Sequence, residues 1–247
     1  MSMPRKLRCA VESIVDHGDR VYTVELKPER PAPTFLPGQF LHLTVDDFDP
    51  AGFWPESRVF SIANSPGRDR VRICYSVKGR YTQKMERTLA VGREVWIKLP
   101  YGEFVIKPDR EVVLFAGGTG ISAFAAFVER LTPELEQRVT LVYGARSPGL
   151  LLFSDMIWTQ FRRIAALQVI VFVETGMSDL VSRVERMARV PQCHSGRISL
   201  PKVWPMLSDP AQSVFYLAGP PVMISALSAG LRLGGSAPEK IRVDAWE

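Results

Sequence analysis

Arg58, Phe60 and Ser61 fall within four positions of one another in the run Arg58-Val59-Phe60-Ser61-Ile62-Ala63-Asn64-Ser65. A guanidinium holds phosphate through paired N–H donors. A flat apolar ring packs on a heteroaromatic system, and a hydroxyl can bond that system's reactive edge. Together these three groups could grip a flavin. A strand with a core Phe and a surface Arg would carry the same letters. Strict pleating puts Arg58 and Phe60 on one face and Ser61 on the other. The three can therefore serve one ligand only where the strand bends or ends.

Two glycine turns offer a second kind of chemistry. Val112-Val113-Leu114-Phe115-Ala116 runs into Gly117-Gly118-Thr119-Gly120-Ile121, and Tyr216-Leu217-Ala218 runs into Gly219-Pro220-Pro221-Val222-Met223. Glycines at the end of a strand that open a helix leave backbone N–H groups facing outward, where a phosphate can bind. Pro221 suits the first turn of a helix. Neither segment is the GxGxxG dinucleotide fingerprint, and ordinary strand-to-helix turns would look the same.

The elements that must position these residues divide into two rhythms. Residues 1–108 carry short runs rich in β-branched and aromatic residues: 21–26, 40–45, 71–77 and 94–99. Turn formers separate them, as in an antiparallel barrel or sandwich. The one helix expected there lies near Gln83–Leu89. Residues 109–247 alternate strand and helix. Strands are expected at 111–116, 138–143, 167–173, 214–217 and 240–244, and helices at 122–131, 153–164 and 221–233. That alternation reads as a doubly wound parallel sheet. The boundary falls near Lys107-Pro108-Asp109-Arg110.

Composition narrows the classes. The chain has 247 residues, enough for two modest domains, and 46% are hydrophobic, which excludes wholesale disorder. The three cysteines, Cys9, Cys74 and Cys193, are too few and too scattered for an iron–sulfur cluster or a disulfide framework. His17, His42 and His194 have no metal-ligand spacing, so no metal site is expected. No signal-peptide pattern opens the sequence, and a cytoplasmic setting is the default. The net charge of +5 is mild and does not indicate nucleic acid. Residues 1–108 carry 17 Lys and Arg against 13 Asp and Glu, so +4 of it lies there. The uncharged stretch Val112–Val128 is 17 residues long, but its central glycines favour a strand, a turn and a helix start over a membrane span.

In order and together, these segments resemble the ferredoxin–NADP⁺ reductase-like flavoprotein family over nearly the whole chain. Pro37-Gly38-Gln39-Phe40 is similar to its PGQ-aromatic turn, and Arg58 to Ser61 to its Arg-x-Tyr-Ser flavin motif. Gly79-Arg80-Tyr81-Thr82 resembles its Gly-x-x-Ser/Thr segment, and Pro100-Tyr101-Gly102-Glu103-Phe104 the strand that closes its barrel. Gly117 to Ile121 is similar to its GGTG-Ile turn. Tyr143-Gly144-Ala145-Arg146 resembles its Tyr-Gly-x-Arg strand end, and Gly219 to Met223 its Gly-x-Pro-x-Met turn.

The resemblance implies a six-stranded antiparallel flavin-binding β-barrel over 1–108, a nucleotide-binding α/β domain over 109–247, and no iron–sulfur domain. It implies noncovalent FAD reduced by NADH or NADPH. Arg58 is then expected to neutralise flavin phosphate, Phe60 to pack on the isoalloxazine, and Ser61 to bond near its N5. Tyr81 and Thr82, with the 79–82 backbone, are expected at the diphosphate. Gly118, Thr119, Gly120, Gly219 and Pro220 are expected to line the pyridine-nucleotide groove. Trp246 is expected to cover the other flavin face or to plug a domain interface.

Three departures shape these expectations. Phe60 stands where the family has Tyr, so stacking survives without a phenolic hydrogen bond. Ala218 stands where many members have Cys. Val171-Phe172-Val173-Glu174-Thr175 occupies the place of a Ser-Arg pair that holds the 2′-phosphate of NADPH. Glu174 would repel that phosphate and favour NADH, although Arg146 and Arg197 remain able to reach it.

The implied activity is hydride uptake from NADH or NADPH, with electrons passed singly to a ferredoxin, a cytochrome or an oxygenase component. A monomer without a membrane span is expected. Two alternatives share the motifs: a flavin or ferric reductase serving small-molecule acceptors, and a non-catalytic nucleotide-binding subunit.

Overall fold

The computed structural model describes residues 3–108 and 110–244. The chain divides into two compact units, Met1–Val105 with Ala125–Phe127 and Ile106–Phe124 with Val128–Glu247.

The first unit is built on six strands: β1 (Arg5–Asp16), β2 (Val21–Pro28), β3 (Phe40–Thr44), β4 (Arg58–Ser61), β5 (Val71–Ser76) and β6 (Glu94–Tyr101). They form one antiparallel sheet in the order β4-β3-β6-β1-β2-β5, curled into a nearly closed barrel. Alternate residues fill its interior, for example Leu7, Cys9 and Val11 of β1, Val71, Ile73 and Tyr75 of β5, and Val95, Ile97 and Leu99 of β6. That is the period of two a one-sided strand must have. Strand β1 escapes a search for apolar runs because charged and polar residues occupy its outward positions. Helix α1 (Arg80–Thr88) starts three residues earlier than the apolar pattern suggests and buries Tyr81 and Met85, one turn apart.

The sheet's two edges, β4 and β5, form no regular ladder with each other. Asn64 joins them just past β4. Ala63 N–H donates to the Arg72 carbonyl at 2.8 Å. The Asn64 side-chain oxygen accepts from Arg72 N–H at 2.7 Å, and its Nδ2 donates to the carbonyls of Arg70 at 2.9 Å and Ser65 at 3.1 Å. Asn64 is only 3% exposed, and a polar side chain so buried must be bonded.

The second unit holds six parallel strands: β7 (Val112–Gly117), β8 (Val139–Ala145), β9 (Leu167–Val173), β10 (Gln192–Ser195), β11 (Val214–Ala218) and β12 (Ile241–Val243). Its helices are α2 (Ser122–Arg130), α3 (Ser154–Arg163), α4 (Met177–Val184), α5 (Leu200–Val203) and α6 (Pro221–Leu233). The strand order is β10-β9-β8-β7-β11-β12. The uncharged Val112–Val128 stretch is therefore a fully buried strand, a tight turn and a helix. Among the described residues, no helix is long and apolar enough to cross a membrane. Strand β10 and helix α4 have no counterpart in the sequence reading. The four residues of β10 are polar apart from Cys193, so no apolar run marks them.

Candidate functional site

In the first unit, chemistry gathers around β4 and the start of α1. Strand β4 ends at Ser61, which meets the condition that pleating imposed. The chain changes partners there: Ile62 N–H bonds Gln39 O at 3.0 Å on the β3 side, and Ala63 N–H turns to β5. Phe60 is partly buried against the barrel core and meets Tyr75 edge-on, with ring centroids 6.2 Å apart.

Arg58 shares a face with Phe60, and its guanidinium lies over the Tyr81 ring, 4.8 Å from the centroid. Tyr81 is 3% exposed. Its hydroxyl accepts from Val45 N–H at 3.2 Å and faces the carbonyls of Leu43 at 3.1 Å and Glu56 at 3.2 Å. Burial pushes its phenol above the ordinary tyrosine range, which keeps it a protonated donor. The Tyr81 hydroxyl is thus committed to backbone, and its ring supports Arg58.

Arg58 also donates to Ser57 O at 2.8 Å and to the Glu56 carboxylate at 3.0 Å. Thr82 folds back on the turn: its Oγ1 accepts from Lys78 N–H at 3.0 Å and Gly79 N–H at 3.1 Å. The first turn of a helix has no intrahelical acceptors for its N–H groups, so those of Arg80, Tyr81 and Thr82 can serve a group placed at this end. An added Cβ at Gly79 would meet nothing within 4 Å, so there is room at this helix start. First-turn N–H groups, the Arg58 and Arg80 guanidiniums and open space suit a diphosphate. The ring and hydroxyl that end β4 suit a flat heteroaromatic head.

In the second unit the glycine turns coincide with a topological feature. The chain winds outward from β7 through β8, β9 and β10, then resumes on the other side of β7 with β11 and β12. The order reverses between β7 and β11, and ligands of such sheets bind at the strands' carboxyl ends at that reversal. Both glycine turns sit there. They also press on each other. A Cβ at Gly120 would lie 2.4 Å from Ala218 O, and one at Gly219 (φ +145°) would lie 2.9 Å from the Gly117 backbone. Gly117 itself would meet Met223 Sδ at 2.7 Å and Pro220 Cδ at 2.8 Å. Gly118 differs, with φ +53° and open space around it. Of the glycines assigned to a nucleotide groove, Gly118 therefore faces open space, whereas Gly120 and Gly219 let the turns touch. Thr119 is half-buried and Pro220 exposed.

Arg146 and Glu174 follow the neighbouring strands β8 and β9. Glu174 N–H bonds Ala145 O at 3.2 Å, and Thr175 bonds Arg146 O through its N–H at 2.9 Å and its hydroxyl at 3.1 Å. The Glu174 carboxylate takes Arg197 Nε at 3.3 Å on an exposed edge. Trp246 lies outside the described residues. Sequence reasoning gave no role to two residues that structure this region, Glu56 and Asn64. Tyr81 of α1 holds the Glu56 carbonyl and Arg72 of β5 bonds Asn64, pairings that nothing local in the sequence reveals.

No family model matches the chain. It is 34% identical over 145 residues to reductase component 2 of terephthalate 1,2-dioxygenase from Comamonas, covering 54% of this chain and 41% of that one. It is 30% identical over 209 residues to a flavohemoprotein from Deinococcus radiodurans, covering 80% of this chain and 48% of the relative. A cytochrome P450 reductase from Amycolatopsis superposes with a TM-score of 0.81 at 20% identity, over all of this chain and 71% of that one. In sequence the chain resembles these flavoprotein reductase relatives, and in fold it matches the ferredoxin–NADP⁺ reductase-like architecture. It spans less than half the length of those two curated relatives.

Proposed function

We propose that this chain is an NAD(P)H-dependent flavoprotein reductase. In this reading it binds FAD at β4 and α1, takes hydride from NADH in preference to NADPH, and passes electrons singly to a protein acceptor. A bound flavin would supply the step from two-electron to one-electron chemistry; the protein supplies binding and orientation. The observation that carries the reading is Arg58 held over Tyr81 beside the open start of α1, three residues before the hydroxyl that ends β4.

Residue roles follow from that arrangement. Arg58 and the first-turn N–H groups of α1 neutralise the diphosphate. Thr82 shapes the 78–79 turn that presents those groups. Phe60, braced by Tyr75, provides an apolar ring for the flavin head, and Ser61 provides a hydroxyl for its hydride-accepting edge. Gly118 and Thr119, at the reversal of the parallel sheet, lie where a pyridine nucleotide's phosphates are expected. Glu174 offers acceptors to a ribose diol, and a 2′-phosphate would have to draw Arg197 away from it.

The acceptor proposed is an oxygenase component or the ferredoxin or cytochrome that serves one, in keeping with the relative named as a dioxygenase reductase component. The charge of +4 over residues 1–108 suits an acidic acceptor.

The deciding experiment is anaerobic addition of NADH, then NADPH, to the FAD-loaded protein. Rapid bleaching of the flavin band by NADH is expected. A flavin that stays oxidised with both would leave only the non-catalytic reading. Reduction of an acidic ferredoxin is expected to slow as ionic strength rises, and a salt-independent rate would exclude steering by this charge.

A further inference from the structure

Glu56 stands two residues before β4, and its carboxylate occupies the place an anion would take. Its Oε1 accepts from Arg58 Nη2 at 3.0 Å and lies 3.9 Å from Arg80 Nη2. Those guanidiniums flank the start of α1, which carries no acidic residue in its first turn. A helix start attracts negative charge, so Glu56 sits where electrostatics favours a carboxylate or a phosphate alike.

The arrangement is built rather than incidental. One buried side chain, Tyr81, places both partners: its ring lies under Arg58, and its hydroxyl reaches the backbone carbonyl of Glu56. Glu56 is thus tethered by its backbone, while its carboxylate, 42% exposed and paired with Arg58, can turn toward water without moving the chain. Arg58, at 49% exposed, also donates to Ser57 O and lies over the Tyr81 ring.

We propose that Glu56 is an internal competitor for the phosphate-binding guanidinium, and that it sets how tightly the phosphate-bearing flavin is held. The proposal rests on the flavin reading above. When a diphosphate arrives, Arg58 exchanges one charge-assisted bond for another instead of gaining one outright. The net gain is correspondingly smaller. If the carboxylate stays near, it adds like-charge repulsion. Either way affinity falls below what Arg58 and the helix start could provide, and the flavin exchanges more readily. The effect is specific to the phosphate end of the ligand, because the Glu56 carboxylate faces the guanidiniums of Arg58 and Arg80.

The test compares wild type with Glu56→Gln, titrating FAD and riboflavin separately into the flavin-free protein and following flavin fluorescence. Glutamine keeps the size and the backbone bond to Tyr81 and removes the charge. FAD is expected to bind about threefold to fivefold more tightly, the range an exposed ion pair can contribute, with slower release. Riboflavin, which has no phosphate, is expected to bind unchanged. Glu56→Ala is the second variant if Gln folds poorly, since residue 56 bonds Tyr81 through its carbonyl whatever its side chain. Unchanged or weaker FAD binding overturns the proposal, as does an equal shift for FAD and riboflavin, which would mark a structural effect. Failure of wild type to bind FAD at all would overturn the flavin reading along with it.

Discussion

The two regions proposed to hold nucleotides are built by opposite means. At the start of α1 the work is done by side chains: Arg58, Tyr81, Thr82 and Glu56 shape the site, and Gly79 stands in open space. At the β7 and β11 turns the work is done by missing side chains, with Gly117, Gly120 and Gly219 letting two backbones approach to contact. A glycine motif therefore carries two meanings in one molecule. Near α1 it leaves room for a ligand. In the parallel sheet it mainly lets the scaffold close on itself.

Substitutions can break or sharpen that contrast. The largest effect is expected for Gly120→Ala, whose Cβ would meet the Ala218 carbonyl at 2.4 Å. Backbone cannot yield as a flexible side chain can, so a loss of about 3 kcal/mol or more is expected in urea unfolding. A tolerated alanine would show that the turns are not pressed together. Asn64→Ala comes next. It strands the Arg72 N–H and the Arg70 carbonyl at the barrel joint, and a destabilisation of about 2–3 kcal/mol is expected by the same measurement.

Arg58→Ala moves from scaffold to ligand. FAD affinity is expected to fall by about 1.5 kcal/mol, near the low end for a charge-assisted contact because the guanidinium is half exposed. Unchanged affinity in a fluorescence titration removes Arg58 from the site. Glu174→Arg should raise the preference for NADPH over NADH by about threefold to tenfold in kcat/KM, through lost repulsion and an added cation. A constant ratio would place Glu174 away from the ribose. The smallest effect belongs to Gly79→Ala, whose backbone is extended and whose Cβ meets nothing. A stability change of at most about 1 kcal/mol is expected there. A collapse comparable with that of Gly120→Ala would erase the distinction between the two glycine motifs.

Much of this was legible in the sequence, and the rest was not for identifiable reasons. Strand β9 was read at its observed bounds, Leu167–Val173, and helix α6 at Pro221–Leu233, because an unbroken apolar run and a proline start are local signals. The end of β4 at Ser61 could be stated as a condition but not observed, since it depends on Gln39 and Arg72 pairing from either side. Strand β1 was missed because its alternation is diluted by charges on the outer face. Glu56 and Asn64 stood in plain view beside Arg58 and Ser61. A carboxylate or an amide becomes informative only once its surroundings are known, and Tyr81 of α1 and Arg72 of β5, which fix these two, are distant in sequence. The crowding of Gly120 against Ala218 likewise joins residues almost a hundred positions apart, which no spacing rule anticipates.

The Asn64 joint also bears on how the barrel assembles. Most of its ladders bring together distant chain, as when Lys6 pairs with Lys98. The joint that brings the two sheet edges together instead links Asn64 to Arg70, six residues apart. Closing so short a loop sacrifices little chain entropy, and local contacts form faster than distant ones. The last gap in the ring, viewed in space, is thus among the first that the chain can close in time. The strand end carrying Phe60 and Ser61 can be fixed against β5 before β1 and β6 have found each other.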